Sequence, residues 1–433
     1  MTHPPGASGG AHPFLPVSAL LGGALAMVVG SAWLLADPAT LTSYLGAPTA
    51  VALTHLFTLL CVTLVYVGTL QQLPAVLLVT DLAWTRLGFV ALPLLVVGGA
   101  ALVHGFAAGF RPGALAAGGL AVTVSLALVA AQTLRTARRS PPRDAASRGL
   151  VTAVCYLALT VAFGTLLAGA RSSPALASSV GYAPALHQTT GLIGAFLLGI
   201  AASGHKLLAM FALSKGGSAW RVTAVTWLVH ACVAASLAAA LAPVVGWPPA
   251  AARAAYAVAT VALCAAGALQ VVEVGALLRR RLRKRLEAPV QRYVLAHAFL
   301  PYAGVLLASG HGEAAVVAAL LGFVDLAVSG MLIKILSFLT WTAAFGSAPR
   351  RAAPPPLLRE LARPRLEPVI TVGLATGAVL APLAVVTLST PVAALAGAAL
   401  LAGAGAQLWQ AVTVVWRALG PDPGRPLEAV TTR

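Results

Sequence analysis

Apolar stretches of about twenty residues, long enough to cross the hydrocarbon of a bilayer as helices, recur twelve times along the chain. They fall at roughly 15–36, 48–76, 87–110, 114–134, 149–170, 183–213, 222–243, 253–277, 291–308, 313–342, 368–388 and 391–416. The gaps between them are short except after the fourth, eighth and tenth runs. The last of these, APRRAAPPPLLRELARPRLEP, is rich in Pro and Arg and reads as a solvated linker within reach of lipid headgroups. Met1 to Phe14 carries no basic segment of the signal-peptide kind and precedes twelve runs, so it reads as a short disordered tail with His3 and His12 solvated.

Composition agrees with this pattern. Of the 433 residues 59% are hydrophobic and 9% charged, with a mean hydropathy of +0.90, whereas soluble domains carry roughly 25% charged residues. The fold class expected is all-α integral membrane, with twelve transmembrane helices crossing the lipid bilayer. The net charge of +17 would suit a nucleic-acid partner, but the arginines sit in short gaps between apolar runs and form no soluble basic face. No nucleic acid is expected. Of the 28 Lys and Arg, 23 fall in alternate gaps and tails on one side of a twelve-span topology; three (Arg111, Arg171, Arg253) fall on the other, and Lys206 and Lys334 lie within helices. Basic residues mark the cytoplasmic side. The expected location is therefore a bacterial-type inner membrane, with both termini cytoplasmic.

Polar residues inside the runs suggest a repeat. The second, sixth and tenth spans each start at a histidine, His55, His187 and His311, and end at Gln71, Lys206 and Lys334. Gln71 and Lys206 are 135 positions apart, Lys206 and Lys334 128. The long basic gaps after the fourth and eighth spans fall at the same seams. Three pseudo-repeated groups of four helices, at roughly 15–134, 149–277 and 291–416, are expected within one membrane domain.

In this topology His55, His187 and His311 occupy one outer layer, roughly 24, 29 and 35 Å along their helices from the polar residue at the other end. His311 is the shallowest and lies beside a loop. His104, at the outer end of the third span, shares the layer, and His230 lies in the seventh. Imidazole ligates haem iron and copper, and ionisable groups at membrane depth are costly enough to be functional candidates. His104 and His230 are weighed as ligands against packing residues. His297 and His205 read as structural. Lys206 and Lys334 read as anchors whose long side chains reach the headgroups. Asp325, midway along the tenth span, is too deep for that and could serve a proton path or an interhelical hydrogen bond. Glu273 needs no more than a salt bridge with the Arg279–Arg285 cluster. The cysteines Cys61, Cys155, Cys232 and Cys264 read as small core residues without disulfides. No Gly-rich phosphate loop, HExxH, GxSxG or CxxCH is present, so ATP-driven transport, zinc or serine hydrolysis and covalent haem attachment find no support.

Twelve helices in three groups, with histidines at the outer ends of the second, sixth and tenth, resemble subunit I of the haem-copper oxidase and nitric oxide reductase superfamily. The strings THLFTLLCVTLVYVGTLQQLP, LHQTTGLIGAFLLGIAASGHKLLAMFALSK and SGMLIKILSFLTW look closer still to its divergent NnrS-type membrane relatives. The resemblance implies one or two haems b with His55 and His311 as an axial pair, copper or another metal at His187 with His104 and His230 as further candidates, and a redox partner protein or quinol. It implies an oxidoreductase in electron transfer or the handling of NO or O2. The sequence departs from that pattern at the catalytic centre: no His-His pair stands in the seventh span, no second histidine follows His311, and no tyrosine follows His187 as in HPEVY. A complete copper site and oxygen or nitric oxide reduction are therefore not expected. A proton-coupled secondary transporter and a cofactor-free subunit of a respiratory complex are the alternatives.

Overall fold

The computed structural model describes residues 10–141, 143–171, 173–346 and 355–420. His3, Arg350, Arg351, Arg425 and Arg433 lie outside them. The chain is an all-helical integral membrane protein; among the described residues the only β-type pairing is an isolated bridge between Ser214 and Arg281. Among the described residues eleven helices are long and apolar enough to span a membrane. They are α1 (Phe14–Ala36), α2 (Pro48–Leu70), α3 (Thr85–Ala107), α4 (Pro112–Arg139), α5 (Ala145–Ala170), α6 (Ala183–Ala212), α7 (Ala219–Leu241), α8 (Pro249–Arg279), α11 (Gly312–Phe345), α12 (Pro364–Thr387) and α13 (Thr390–Leu419). The outward faces carry large apolar side chains such as Val97, Leu120, Trp227, Val261 and Val372, each more than 60% exposed, a surface suited to lipid.

The ninth apolar run forms no single long helix. It is split into α9 (Ala288–Ala296) and α10 (Phe299–Ala308). Pro301 lacks the N–H that would bond the carbonyl of His297, and its ring crowds that carbonyl, so the helix breaks at His297–Ala298.

Three helices occupy the centre: 61% of the most apolar window of α2, 61% of that of α6 and 83% of that of α11 is buried, against 22% for α5 and α7. Each central helix also contains a wider π-helical stretch, Leu56–Thr63, Thr189–Leu197 and Ala318–Asp325. Such stretches are rare and gather at functional sites. Gln71 follows the first stretch by eight residues, and Lys206 and Lys334 follow theirs by nine. Against this register His55 stands directly before its π stretch and His187 two residues before its own, whereas His311 stands seven residues before Ala318.

The polar residues at the arginine-rich end are tied within the protein. Lys206 Nζ lies 2.8 Å from Asp144 and donates to the Leu77 carbonyl at 2.8 Å. Lys334 Nζ reaches Glu287 at 2.6 Å. Both lysines therefore neutralise acids at helix starts, a use the headgroup-anchor expectation did not include. At the first central helix, the Ala11 N–H donates to the Gln71 carbonyl and Gln72 Nε2 to the Ala11 carbonyl. Ala11 is buried there, so the last residues of the expected tail pack on the bundle. Glu273 pairs across helices, with His205 Nδ1 at 2.8 Å and Arg221, and not with the Arg279–Arg285 cluster. Cys61 and Cys232 are buried as expected, whereas Cys155 and Cys264 face outward.

Candidate functional site

At the opposite, histidine-bearing end, α2 and α6 bring two imidazoles together. The rings of His55 and His187 lie 6.0 Å apart, centre to centre, with an interplanar angle of 14°. Each is oriented by its backbone surroundings. His55 Nδ1 is 2.8 Å from the Val51 carbonyl, one turn earlier in α2, and His187 Nδ1 is 2.9 Å from the Thr160 carbonyl of α5. A carbonyl accepts only, so both Nδ1 atoms carry the proton and both Nε2 atoms are left as bare acceptors. Neither Nε2 has a hydrogen-bond partner among the described residues. An imidazole held by an Nδ1–H bond with Nε2 free is the arrangement of a metal-ligating histidine.

The local sequence builds this pocket. Gly164 makes room for the His187 ring: a Cβ on it would come within 3.0 Å of His187 Cε1. Gly194 admits the Tyr156 ring in the same way. The Phe106 ring of α3 packs 4.5 Å from His55, Phe110 packs edge-on to Phe106, and the Arg171 guanidinium sits 3.9 Å over Phe110. Arg171, one of the few basic residues at this end, closes the stack from the loop side.

The other sequence candidates do not join this pair. His104 is exposed; two residues along a helix turn the side chain by about 200°, so α3 presents Phe106 to His55 and His104 to the outside. His230 bonds Tyr156 Oη at 2.6 Å and packs on Trp227. His311, which the resemblance pairs with His55, is exposed in the turn between α10 and α11; the ring opposite His55 is His187. His297 is buried with both ring nitrogens engaged, by the Tyr293 carbonyl and Gln270. Asp325 closes the π stretch of α11, 3% exposed, with no partner on either carboxyl oxygen among the described residues. Among those residues no group of three or more His, Cys, Asp or Glu is placed to hold a metal ion. Sequence reasoning missed Phe106, Thr160 and Gly164. None has a chemical signature of its own, and only the packing of α3 and α5 on the histidine helices reveals them.

The two rings are stacked with their centres 6.0 Å apart; a single ion bonded at about 2.0–2.1 Å by two opposed ring nitrogens would put the ring centres at a similar separation, roughly 6 Å. The chain matches no protein-family model and shows no significant sequence similarity to any curated protein.

Proposed function

We propose that this is a haem-binding membrane protein, a divergent relative of haem-copper oxidase subunit I, that works in electron transfer or in handling a diatomic gas such as NO or O2. The observation that carries the reading is the His55–His187 pair, near-parallel, with both Nδ1 atoms anchored and both Nε2 atoms free. In this reading His187 replaces His311 as the partner of His55. A haem b iron held by two imidazoles supplies low-spin one-electron chemistry. The protein's own residues do the rest: the Val51 and Thr160 carbonyls fix the tautomers, Phe106 and Phe110 exclude water, and Arg171 places positive charge at the mouth.

The same reading counts α9 and α10 together as one crossing, giving twelve crossings in three groups of four. The common order of π stretch and polar residue in α2, α6 and α11 supports it. The arginine distribution supports an inner-membrane location with cytoplasmic termini.

The test is the absorption spectrum of the protein purified after expression with ample haem. A Soret band with sharp low-spin bands on reduction is expected, and His55→Ala or His187→Ala should each convert or remove them. A haem-free preparation under these conditions would overturn the proposal. A second reading, a proton-coupled transporter, draws on Asp325 alone, and Asp325→Asn abolishing substrate-driven proton uptake in a haem-free protein would favour it.

A further inference from the structure

A cavity of about 700 Å³ lies between α6, α7, α8, α10 and α11. It borders a face of α6 other than the one that carries the imidazole: His187 turns to α5, while Gln188 and Thr189 line the cavity. None of its lining residues is charged. Gln188, Thr189, Ser236, Tyr256 and Thr260 line it toward the histidine-bearing end, and Leu197, Val271, Val272 and Phe323 line it deeper. From Tyr256 to Val272 the wall formed by α8 runs roughly 24 Å. Tyr256 and Val272 are 61% and 54% exposed, so the cavity opens sideways to the membrane along this wall.

The residues at the mouth fix the occupant. Arg253 stands three positions before Tyr256, one turn further out on the same face of α8. It is exposed and takes part in none of the ion pairs among the described residues. Glu313 follows the lining residue Gly312 but sits about 100° round α11 from it, off the cavity face. One positive charge therefore borders a cavity that is itself uncharged. An anionic head placed inside would be buried without a counter-charge, whereas at Arg253 it stays in the interfacial layer and meets one. Immediately below, the Gln188 amide and the Tyr256 hydroxyl come from different helices and have no side-chain partner among the described residues. Both can donate to a carbonyl oxygen. Below them the apolar slot is longer than half the hydrocarbon thickness, about 15 Å, so it takes a chain from one leaflet at full depth. Charge, paired donors and apolar slot follow one another along the helices in the order of phosphate, ester carbonyls and acyl chain. We infer that the cavity binds one anionic glycerophospholipid of the leaflet at the histidine-bearing end, with its phosphate at Arg253, its ester carbonyls at Gln188 and Tyr256, and an acyl chain in the slot. The lipid braces α6 beside His187, and its site does not depend on what the imidazole pair holds.

The test is native mass spectrometry of the full-length protein, delipidated in a nonionic detergent and titrated with dioleoylphosphatidylglycerol. One adduct per chain is expected, at least tenfold tighter than any further adduct. Arg253→Gln should weaken it about tenfold, as should the double variant Gln188→Leu/Tyr256→Phe. Dioleoylglycerol, which keeps the esters and lacks the phosphate, and oleate, which keeps a charge and lacks the esters, should each bind at least tenfold more weakly. Gly304→Phe should abolish the tight adduct. A Cβ at Gly304 meets nothing within 4 Å, so the new ring enters the cavity without displacing backbone, and an unchanged melting temperature verifies folding. His55→Ala should leave the adduct intact, which keeps this inference separable from the proposed haem site. A first adduct no tighter than later ones, an adduct unchanged in Arg253→Gln or in Gly304→Phe, or equal binding of dioleoylglycerol or oleate would each overturn the inference.

Discussion

Lys206 Nζ lies 2.8 Å from Asp144, the residue that caps the start of α5 by accepting the Ser147 N–H at 2.8 Å. Lys334 stands in the same relation to Glu287, the residue before α9, and Gln71 and Gln72 to Ala11, just before α1. A central helix is thus fastened in each case to the chain entering another helix, α5, α9 and α1 respectively. Lys334 is 14% exposed, so its replacement by Met leaves the half-buried Glu287 carboxylate paired with Arg283 but without its link to α11. Lys334→Met should destabilise the protein by about 1–3 kcal/mol. A double-mutant cycle with Glu287→Gln in detergent melts should show coupling; strictly additive effects would refute the tie.

The same pairs make stability depend on pH. Burial raises the Asp144 carboxyl, but hydrogen bonds from Lys206 and Ser147 outweigh it and hold the group below the usual aspartate range. Burial likewise raises Glu287, and Lys334 and Arg283 bring it below the usual glutamate range. A carboxyl depressed in the folded state stabilises it above the unfolded pKa and loses that contribution as pH falls through the folded value. With unfolded values near 3.9 and 4.3, the loss should begin below about pH 5. Asp144 is half exposed, so solvent screens its share and Glu287 dominates. Melting temperature should fall more steeply between pH 5 and pH 3 in the wild type than in the Asp144→Asn/Glu287→Gln variant, and parallel curves would count against both pairs.

A buried charge pair joins α9 to α12. Arg292, fully buried, donates from Nη1 to Glu367 at 3.0 Å and to Thr371 at 3.1 Å, while Gln410 donates to the other Glu367 oxygen at 3.0 Å. Arg292→Met leaves Glu367 uncompensated and should cost about 3–5 kcal/mol. Adding Glu367→Gln removes the stranded charge and should recover part of the loss, read as the midpoint of unfolding in mixed detergent micelles. No recovery would mean that Arg292 acts through packing alone.

The all-helical membrane fold was legible because hydropathy over twenty residues is a strong signal, and it failed to produce one long helix only where Pro301 interrupts the ninth run. His55 and His187 were legible as a pair of equivalent positions. His311 was not separable from them by spacing alone, because a histidine one or two turns too early in a helix looks the same in a string as one in register. The growing distance from histidine to Gln71, Lys206 and Lys334 held the clue: the polar residue keeps its place relative to the π stretch, so the extra length in α11 moves His311 outward into the turn. The lysines were misjudged for a related reason. Snorkelling and pairing with a distant helix cap use the same long side chain, and Asp144 and Glu287 are 62 and 47 positions away from their partners, beyond any local pattern.

The His187 ring depends on an absent side chain. A Cβ on Gly164 would lie 3.0 Å from His187 Cε1 and 3.3 Å from Nδ1, closer than the ring can tolerate without tilting, and tilting breaks the 2.9 Å bond to the Thr160 carbonyl. Gly164→Ala adds only a methyl to a helix and improves helix propensity, by roughly 1 kcal/mol, so the fold should survive it. The effect should appear at the proposed ligand: in the haem complex proposed above, the low-spin spectrum should shift toward a high-spin form, with a melting temperature within a few degrees of wild type. Thr160→Ala is the control, since it keeps the carbonyl that holds His187 while removing the hydroxyl. A Gly164→Ala spectrum identical to the wild type would show that the orientation of His187 does not matter to the bound group, and with it the assignment of His187 as the partner of His55 would fall.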